Sequence, residues 1–413
     1  MFDRLRRLHP FQAPDSQRLA VLFGIVYFAQ GMWYLPNQTI TITFKDQGLG
    51  AGQAATFFSI TTVPWLVKPV YGLVSDFVPL FGRRRKSYLI LTSGLAAACG
   101  LALAGGDHGY GRMALFFTAM GLGLAFTDVL VDALMVENGR PRGLTGAFQS
   151  VQWAAIYTST VVVGLLGGWL AEHRRLALAF GIAALFPLVT LTLVTLFVQE
   201  APAPAERETV RRTWLAVRGA LGERDVWVVA GFILFFTFSP SFGPALIYYQ
   251  TDHLGFSQQF IGVLGALSAA SAVAGAAIYA PLSRRVPLER LIRLAITLAV
   301  MGTLAYLLYR GPASAVVIDV LFGGVGMITQ LAFLDLAAKA CPRGVEATFF
   351  ALLMSVYNGG VQISQVTGGY LYDWLGYTPL VLVSAALTAA AFLLVPLVRI
   401  PRIESRAAAA VVP

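Results

Sequence analysis

"PWLVKPVYGLVSDFVPLFGRRRKSYL", residues Pro64–Leu89, decides how this chain is read. An apolar run carries Lys68 directly before Pro69 and one turn after Pro64, reaches Asp76, and closes on four consecutive basic residues, Arg83 to Lys86. A second apolar run then begins. Long apolar runs joined by a basic turn are the mark of helices returning through a bilayer, with Lys and Arg kept on the cytoplasmic side.

The composition extends that reading to the whole chain. Of 413 residues 57% are hydrophobic and only 12% charged, and the mean hydropathy is +0.70. Soluble domains carry roughly 25% charged residues, so most of this surface does not face water. A helix needs about 20 apolar residues to span a bilayer. The hydropathy pattern predicts twelve such spans, near 19–43, 53–79, 87–104, 112–137, 144–170, 175–198, 226–250, 260–282, 291–309, 313–339, 347–372 and 378–398. The expected fold class is an all-α membrane protein with twelve transmembrane helices.

The net charge of +9 invites a nucleic-acid reading, and its distribution argues against one. Sorting the 30 Lys and Arg by alternate connections puts 24 on one side, in the tails and in the loops after spans two, four, six, eight and ten. Five lie on the other side (Lys45, Arg112, Arg174, Arg175, Arg310), and Lys68 alone is left inside a span. This positive-inside asymmetry predicts a multi-pass protein with both termini in the cytoplasm, its basic loops meeting anionic lipid. The polar start, "MFDRLRRLHPFQAPDSQ", has no short apolar core with a cleavage site, so no cleaved signal peptide is expected.

Several chemistries find no support. Cys99 and Cys341 are far apart and form no CxxC, and the four histidines all fall in tails or loops, so neither a metal site nor a cofactor is expected. No HExxH, GxSxG or GxxxxGK[ST] occurs, which argues against an enzyme and against a self-contained ATP-driven pump. "FGGVGM", Phe322–Met327, lacks dinucleotide spacing and reads as close helix packing.

The chain also reads as two halves. The polar segment 199–225, "QEAPAPAERETVRRTWLAVRGALGERD", separates residues 1–198 from 226–413. Within it "TVRRTWLAVRGAL" is either a basic amphipathic helix on the lipid surface or a solvated loop. "KDQGLGAGQ" (Lys45–Gln53) is echoed by "TDHLGFSQ" (Thr251–Gln258), and "AFTDVLVDA" (Ala125–Ala133) by "AFLDLAAKA" (Ala332–Ala340), at offsets of roughly 200 residues. Duplicated six-helix halves suit a transporter with alternating access to a site near the midplane.

The quoted stretch, with "DVLVDALMVE" (Asp128–Glu137) and "CPRGVEATFFALLMSVYNGG" (Cys341–Gly360), resembles the folate–biopterin transporter family of the major facilitator superfamily. The resemblance implies two pseudo-symmetric six-helix bundles. It also implies a secondary transporter carrying a folate- or pterin-like solute; the short N-terminus favours a bacterial inner membrane, and a monomer driven by proton symport is expected. S-adenosylmethionine or another nucleoside-like metabolite is the alternative solute. From a different class, a non-transporting membrane receptor or assembly factor stays open.

Ionisable groups inside spans are costly unless paired or hydrated, so each is a functional candidate. Lys68 lies eight residues before Asp76, and Asp128 nine before Glu137, which sets both near the midplane. The family fold brings spans two and four together. Lys68 and Asp128 then form either a static ion pair or a pair that opens to meet substrate or take up a proton. Asp76, Arg83, Arg84, Asp132 and Glu137 are the expected gating cluster, or else a permanent loop anchor. Asp335 and Lys339 are spaced for an ion pair at i,i+4, and Asp319 stands either as a hydrated rim residue or as a protonatable group. With no histidine in any span, Asp128, Asp319 and Asp335 are the proton-coupling candidates. Polar stripes mark the faces that either line a cavity or bond neighbouring helices. These are Gln30, Tyr34, Asn37 and Thr41; Gln149, Trp153, Tyr157 and Thr160; and Asn358, Gln362 and Gln365. Gln30, Tyr34, Asn37, Trp65, Lys68, Asp128, Gln149, Trp153, Asn358 and Gln362 are the expected substrate contacts, the aromatics stacking on a flat heterocycle.

Overall fold

The computed structural model describes residues 11, 13–198, 200, 218, 222–342 and 346–408. The segment Thr209–Leu221, apart from Arg218, lies outside these residues. Among the described residues there is no strand, only an isolated bridge between Leu80 and Arg83. The helices in chain order are α1 (Pro14–Gly31), α2 (Asn37–Asp46), α3 (Ala51–Leu66), α4 (Lys68–Phe77), α5 (Lys86–Ala104), α6 (Tyr110–Gly139), α7 (Thr145–Glu172) and α8 (Leu176–Phe197). There follow α9 (Arg224–Phe238), α10 (Gly243–Asp252), α11 (Gln258–Arg285), α12 (Leu288–Ala305), α13 (Pro312–Ala340), α14 (Glu346–Leu375), α15 (Tyr377–Val398) and α16 (Ile400–Ala408).

Eleven segments among the described residues are long and apolar enough to cross a bilayer. The twelfth predicted span is α14, whose 30 residues hold Asn358, Gln362 and Gln365 in mid-helix and so dilute its hydropathy.

The contacts divide the chain into two compact units that cut across its midpoint. The first holds Met1–Ile40 and Val70–Glu206; the second holds Thr41–Pro69 and Arg207–Pro413. Spans one and two thus pass from one unit to the other, and each is broken near the crossing. A 3-10 turn, Met32–Tyr34, and then Pro36 separate α1 from α2. In span two α3 stops at Leu66 and α4 starts at Lys68, with Pro64 and Pro69 each removing a helical N–H donor.

Span seven is broken as well, between α9 and α10 at "SPSF", and the second unit repairs the break from neighbouring helices. Ser364 on α14 donates its hydroxyl to the Ser239 carbonyl at 2.5 Å, and its own carbonyl accepts the Ser241 N–H at 3.2 Å. The Ser239 hydroxyl donates to the Ser384 carbonyl of α15 at 2.8 Å. Without water, freed backbone groups inside a membrane protein must be met by protein in this way.

Helix starts pose the same problem, since the first N–H groups have no partner within the helix. In the first unit the N–H groups of Arg84, Arg85 and Lys86, which open α5, donate to the Glu200 carboxylate at 2.8, 3.0 and 2.7 Å. In the second unit the N–H of Leu288, which opens α12, donates to Glu404 at 3.3 Å. One carboxylate follows α8 and the other follows α15, about 200 residues later. The duplication seen in the sequence strings therefore recurs as the same cap built once in each unit.

The cores are apolar and aromatic. Phe23, Tyr27, Met135 and Phe148 are buried together in the first unit, with Phe11 stacked on Phe148. In the second, Phe236 stacks on Phe333 with centroids 4.0 Å apart. The glycines of Phe322–Met327 are where α13 meets α11. A Cβ on Gly323 would stand 2.1 Å from the Ser268 carbonyl oxygen, and one on Gly275 would stand 2.2 Å from that of Gly324. Gly326, three residues on, meets nothing within 4 Å. Gly323→Ala is therefore expected to cost about 1–3 kcal/mol by overpacking and to lower the melting temperature of the purified protein, whereas Gly326→Ala leaves it unchanged.

Candidate functional site

The first unit gathers polar groups around the acidic residues of α6. Asp128 is 4% exposed, and one turn later Asp132 accepts hydrogen bonds from the Tyr27 hydroxyl and, at 3.1 Å, from the Gln152 amide. The cluster thus draws on α1, α6 and α7. Tyr27 extends the Gln30–Tyr34–Asn37 stripe backwards by three residues, so the helical period pointed to it. Gln30 lies on that face with its amide oxygen buried and without a hydrogen-bond partner among the described residues. Tyr34 is about half exposed, as is Trp153, while Gln149 is open and Asn37 begins α2.

The basic turn after α4 is built differently from the expected gating cluster. Glu137 pairs with Arg85 at 3.0 Å, and Arg85, 7% exposed, also donates to the Ser75 hydroxyl at 2.7 Å. Arg83 is exposed and Arg84 half-buried. Asp76 lies in α4, and its side chain is outside the described residues. Sequence reasoning passed over Arg85 because three adjacent arginines are equivalent until the turn at Phe81 and Gly82, both at positive φ, decides which one points inward.

In the second unit α3 runs antiparallel to α14, with contacts along its whole length. The Asp373 carboxylate accepts the N–H groups of Ala51 and Gly52 at 2.9 and 2.8 Å, capping α3 from another helix. Midway, the Ser59 hydroxyl meets the Gln362 carbonyl and amide oxygens at 3.3 Å. At the far end Ser355 donates to the Leu66 carbonyl at 2.9 Å. Just beyond it the Lys68 ammonium sits 4.6 Å from the centre of the Trp65 ring, a cation–π contact. Asn358 is exposed on α14. Lys68 belongs to the second unit and Asp128 to the first.

The connection between α2 and α3 is held at further points. Lys45 pairs with Asp252 at 2.5 Å, and the Tyr248 hydroxyl donates to the Leu49 carbonyl at 2.7 Å. Both partners are on α10. The same short helix reaches a buried carboxylate on α13: Gln250 donates to the Tyr309 hydroxyl at 2.6 Å, and Tyr309 donates to Asp319 at 2.7 Å. Tyr306 supplies the second donor to Asp319 at 3.1 Å. Tyr309 is fully buried between its two partners, Gln250 and Asp319. Asp319 is 7% exposed, a buried group rather than a rim residue, and meets no cation among the described residues. Asp335, by contrast, is paired with Lys339 at 3.0 Å, the i,i+4 pair that the spacing predicts.

The double cap on α3 yields a direct prediction. Asp373→Ala removes two charge-assisted bonds and is expected to cost about 1–3 kcal/mol, read as a lower melting temperature. Asp373→Asn, whose amide oxygen still accepts, should fall in between. A melting temperature unchanged in Asp373→Ala would show that the cap holds nothing.

Comparison with known proteins gives the chain its relatives. The model of the BT1 family matches residues 30–398. The chain is 32% identical over 387 residues to the folate-biopterin transporter of Synechocystis sp., covering 89% of this chain and 76% of that protein. It is 25% identical to folate transporter 2 of Plasmodium falciparum, covering 85% and 80%. Its fold matches solved transporters at lower identity. The nucleoside transporter NupG aligns with a TM-score of 0.72 and 13% identity over 92% of this chain and 98% of that one. A D-xylose-proton symporter aligns at 0.69 and 13%, over 91% and 95%.

Proposed function

The chain belongs to the BT1 family and is a membrane transporter of major facilitator fold, not an enzyme; from that premise we propose that it carries a folate- or pterin-like solute by alternating access, driven by protons. Its relatives in Synechocystis sp. and Plasmodium falciparum bear folate in their names, and the side chains fit such a solute. A pterin is a flat ring edged with amide-like donors and acceptors. The first unit offers Gln30, with an unpartnered buried oxygen, beside the open Tyr34, Gln149 and Trp153. The second offers Trp65, Lys68, Asn358 and Gln362, with Lys68 the cation suited to a folate carboxylate.

The observation that carries the proton drive is Asp319. A buried carboxylate held by two phenols, with no cation beside it among the described residues, keeps its hydrogen-bond partners in either protonation state, because each phenol both donates and accepts. Its partner Tyr309 bonds Gln250 on α10, the helix that also carries Tyr248 and Asp252 against the α2–α3 connection. Proton uptake at Asp319 thereby reaches the contacts that would have to release as the transporter changes state. Arg85 with Glu137 is the corresponding candidate latch in the first unit. We read the chain as spanning a cell inner membrane with both termini cytoplasmic, an orientation that the distribution of Lys and Arg supports.

Uptake into proteoliposomes tests the reading. A panel of folate, biopterin, pterin and S-adenosylmethionine, with and without a pH gradient, is expected to show gradient-dependent accumulation of a folate or a pterin. No accumulation of either would sink it. Asp319→Asn should keep solute exchange across the membrane and lose accumulation driven by the gradient. Lys68→Ala should raise the half-saturation concentration for folate about tenfold, the worth of one charge-assisted bond, and leave that for neutral pterin in place.

A further inference from the structure

Where α15 ends, the second unit carries a basic cavity that the transport reading does not use. It has a volume of about 630 Å³ and is lined by Arg224, Arg399, Arg402 and Arg406 together with Val228 and Leu397. Two carboxylates also border it, and one arginine takes both. Arg406 donates to Asp225 at 2.7 Å and to Glu223 at 3.2 Å. Arg224, Arg399 and Arg402 line the same cavity and form no ion pair with an acidic side chain among the described residues.

The turn itself does not call for an arginine. Arg399 joins α15 to α16 in the left-handed region, φ 51° and ψ 46°. A glycine adopts that conformation without strain, and an arginine does not. Beyond it α16 buries Ile400 and Ile403 against the unit while Arg402 and Arg406 remain exposed. This is the arrangement of a helix lying at a membrane surface. Below the arginines the wall turns apolar: Leu397 is 65% exposed and Leu393, one turn earlier on α15, is 78% exposed. Trp227 on α9 is half exposed nearby in sequence to Arg224, as expected of an aromatic at the lipid interface.

We propose that this cavity binds a phosphate-bearing anion, with the arginines on the phosphate oxygens, and that an anionic phospholipid supplies it. Guanidinium groups pair with phosphate through parallel N–H donors. Basic pockets between transmembrane helices suit lipid headgroups. The exposed Leu397 and Leu393 run from the pocket along the helix, where acyl chains would lie. A soluble phosphate would use the arginines alone and gain nothing from that apolar track.

The test uses the full-length protein, purified in a neutral detergent, and follows the melting temperature. The protein is titrated separately with dioleoyl-phosphatidylglycerol, dioleoyl-phosphatidylcholine and glycerol 3-phosphate. Phosphatidylglycerol is expected to raise the melting temperature saturably. Arg399→Gly and Arg402→Gln should each weaken that apparent affinity about tenfold, one charge-assisted bond apiece. Arg399→Gly relaxes the strained turn, so its melting temperature without lipid should equal or exceed that of the native protein, which separates lost binding from lost folding. A response to glycerol 3-phosphate as strong as that to phosphatidylglycerol upholds the phosphate site and assigns it to a soluble anion. The proposal is overturned if phosphatidylcholine acts as well as phosphatidylglycerol, or if both arginine variants keep the full response.

Discussion

A backbone N–H or C=O inside a bilayer has no water to turn to, and this constraint orders the structure more than any other. An unbroken helix satisfies itself except at its ends. This chain breaks three of its spans, at Met32–Tyr34, at Val67 and at Ser239–Phe242, and so multiplies its ends. The partners come from other helices. Asp373 caps α3, Glu200 caps α5, Glu404 caps α12, and Ser364 bridges the gap in span seven. Each carboxylate meets a helix start, where the positive end of the helix dipole favours negative charge.

Such caps have a consequence for motion. A helix capped from within keeps its cap wherever it goes, while one capped by a distant residue can gain or lose it. The start of α3 depends on Asp373, and the connection before it on Tyr248 and Asp252 of α10. In the proposed cycle these are the bonds that exchange. Asp319 stands two hydrogen bonds from α10 through Tyr309 and Gln250, close enough for its charge to bias that exchange. By contrast the α11–α13 pair is closed at backbone contact by Gly275 and Gly323, where an added Cβ would not fit. One unit thus combines a tight glycine seam with a connection held by replaceable polar contacts.

Much of this was legible in the sequence because it is periodic or local. Apolar length set the spans, and only α14 departs from the hydropathy expected of them, for the amides that marked it as a candidate face. The i,i+4 spacing of Asp335 and Lys339 gives an ion pair. The glycines of Phe322–Met327 give close packing. What could not be read is what depends on partners far along the chain. Nothing local to Asp373 announces that it caps a helix beginning at Ala51. Glu200 looked like the first charge of a linker, and Glu404 like part of a tail. Whether Asp319 is a rim residue or a buried one is not local either, because its donors, Tyr306 and Tyr309, precede it across a turn and carry no charge. The strings "KDQGLGAGQ" and "TDHLGFSQ" were recognised as repeats, yet that Lys45 of one pairs with Asp252 of the other follows only from the fold.

The account rests on the claim that the α2–α3 connection separates from α10 during transport, and a distance measurement tests it most directly. Spin labels placed by Gln47→Cys and His253→Cys, in a background with Cys99 and Cys341 replaced by serine, report that gap by pulsed electron resonance in lipid nanodiscs. The account predicts a short distance and a second, longer one, their proportions shifting with acidification and with the transported solute, and no acid-driven shift in Asp319→Asn. A single short distance under every condition, in a protein that still transports, would contradict it.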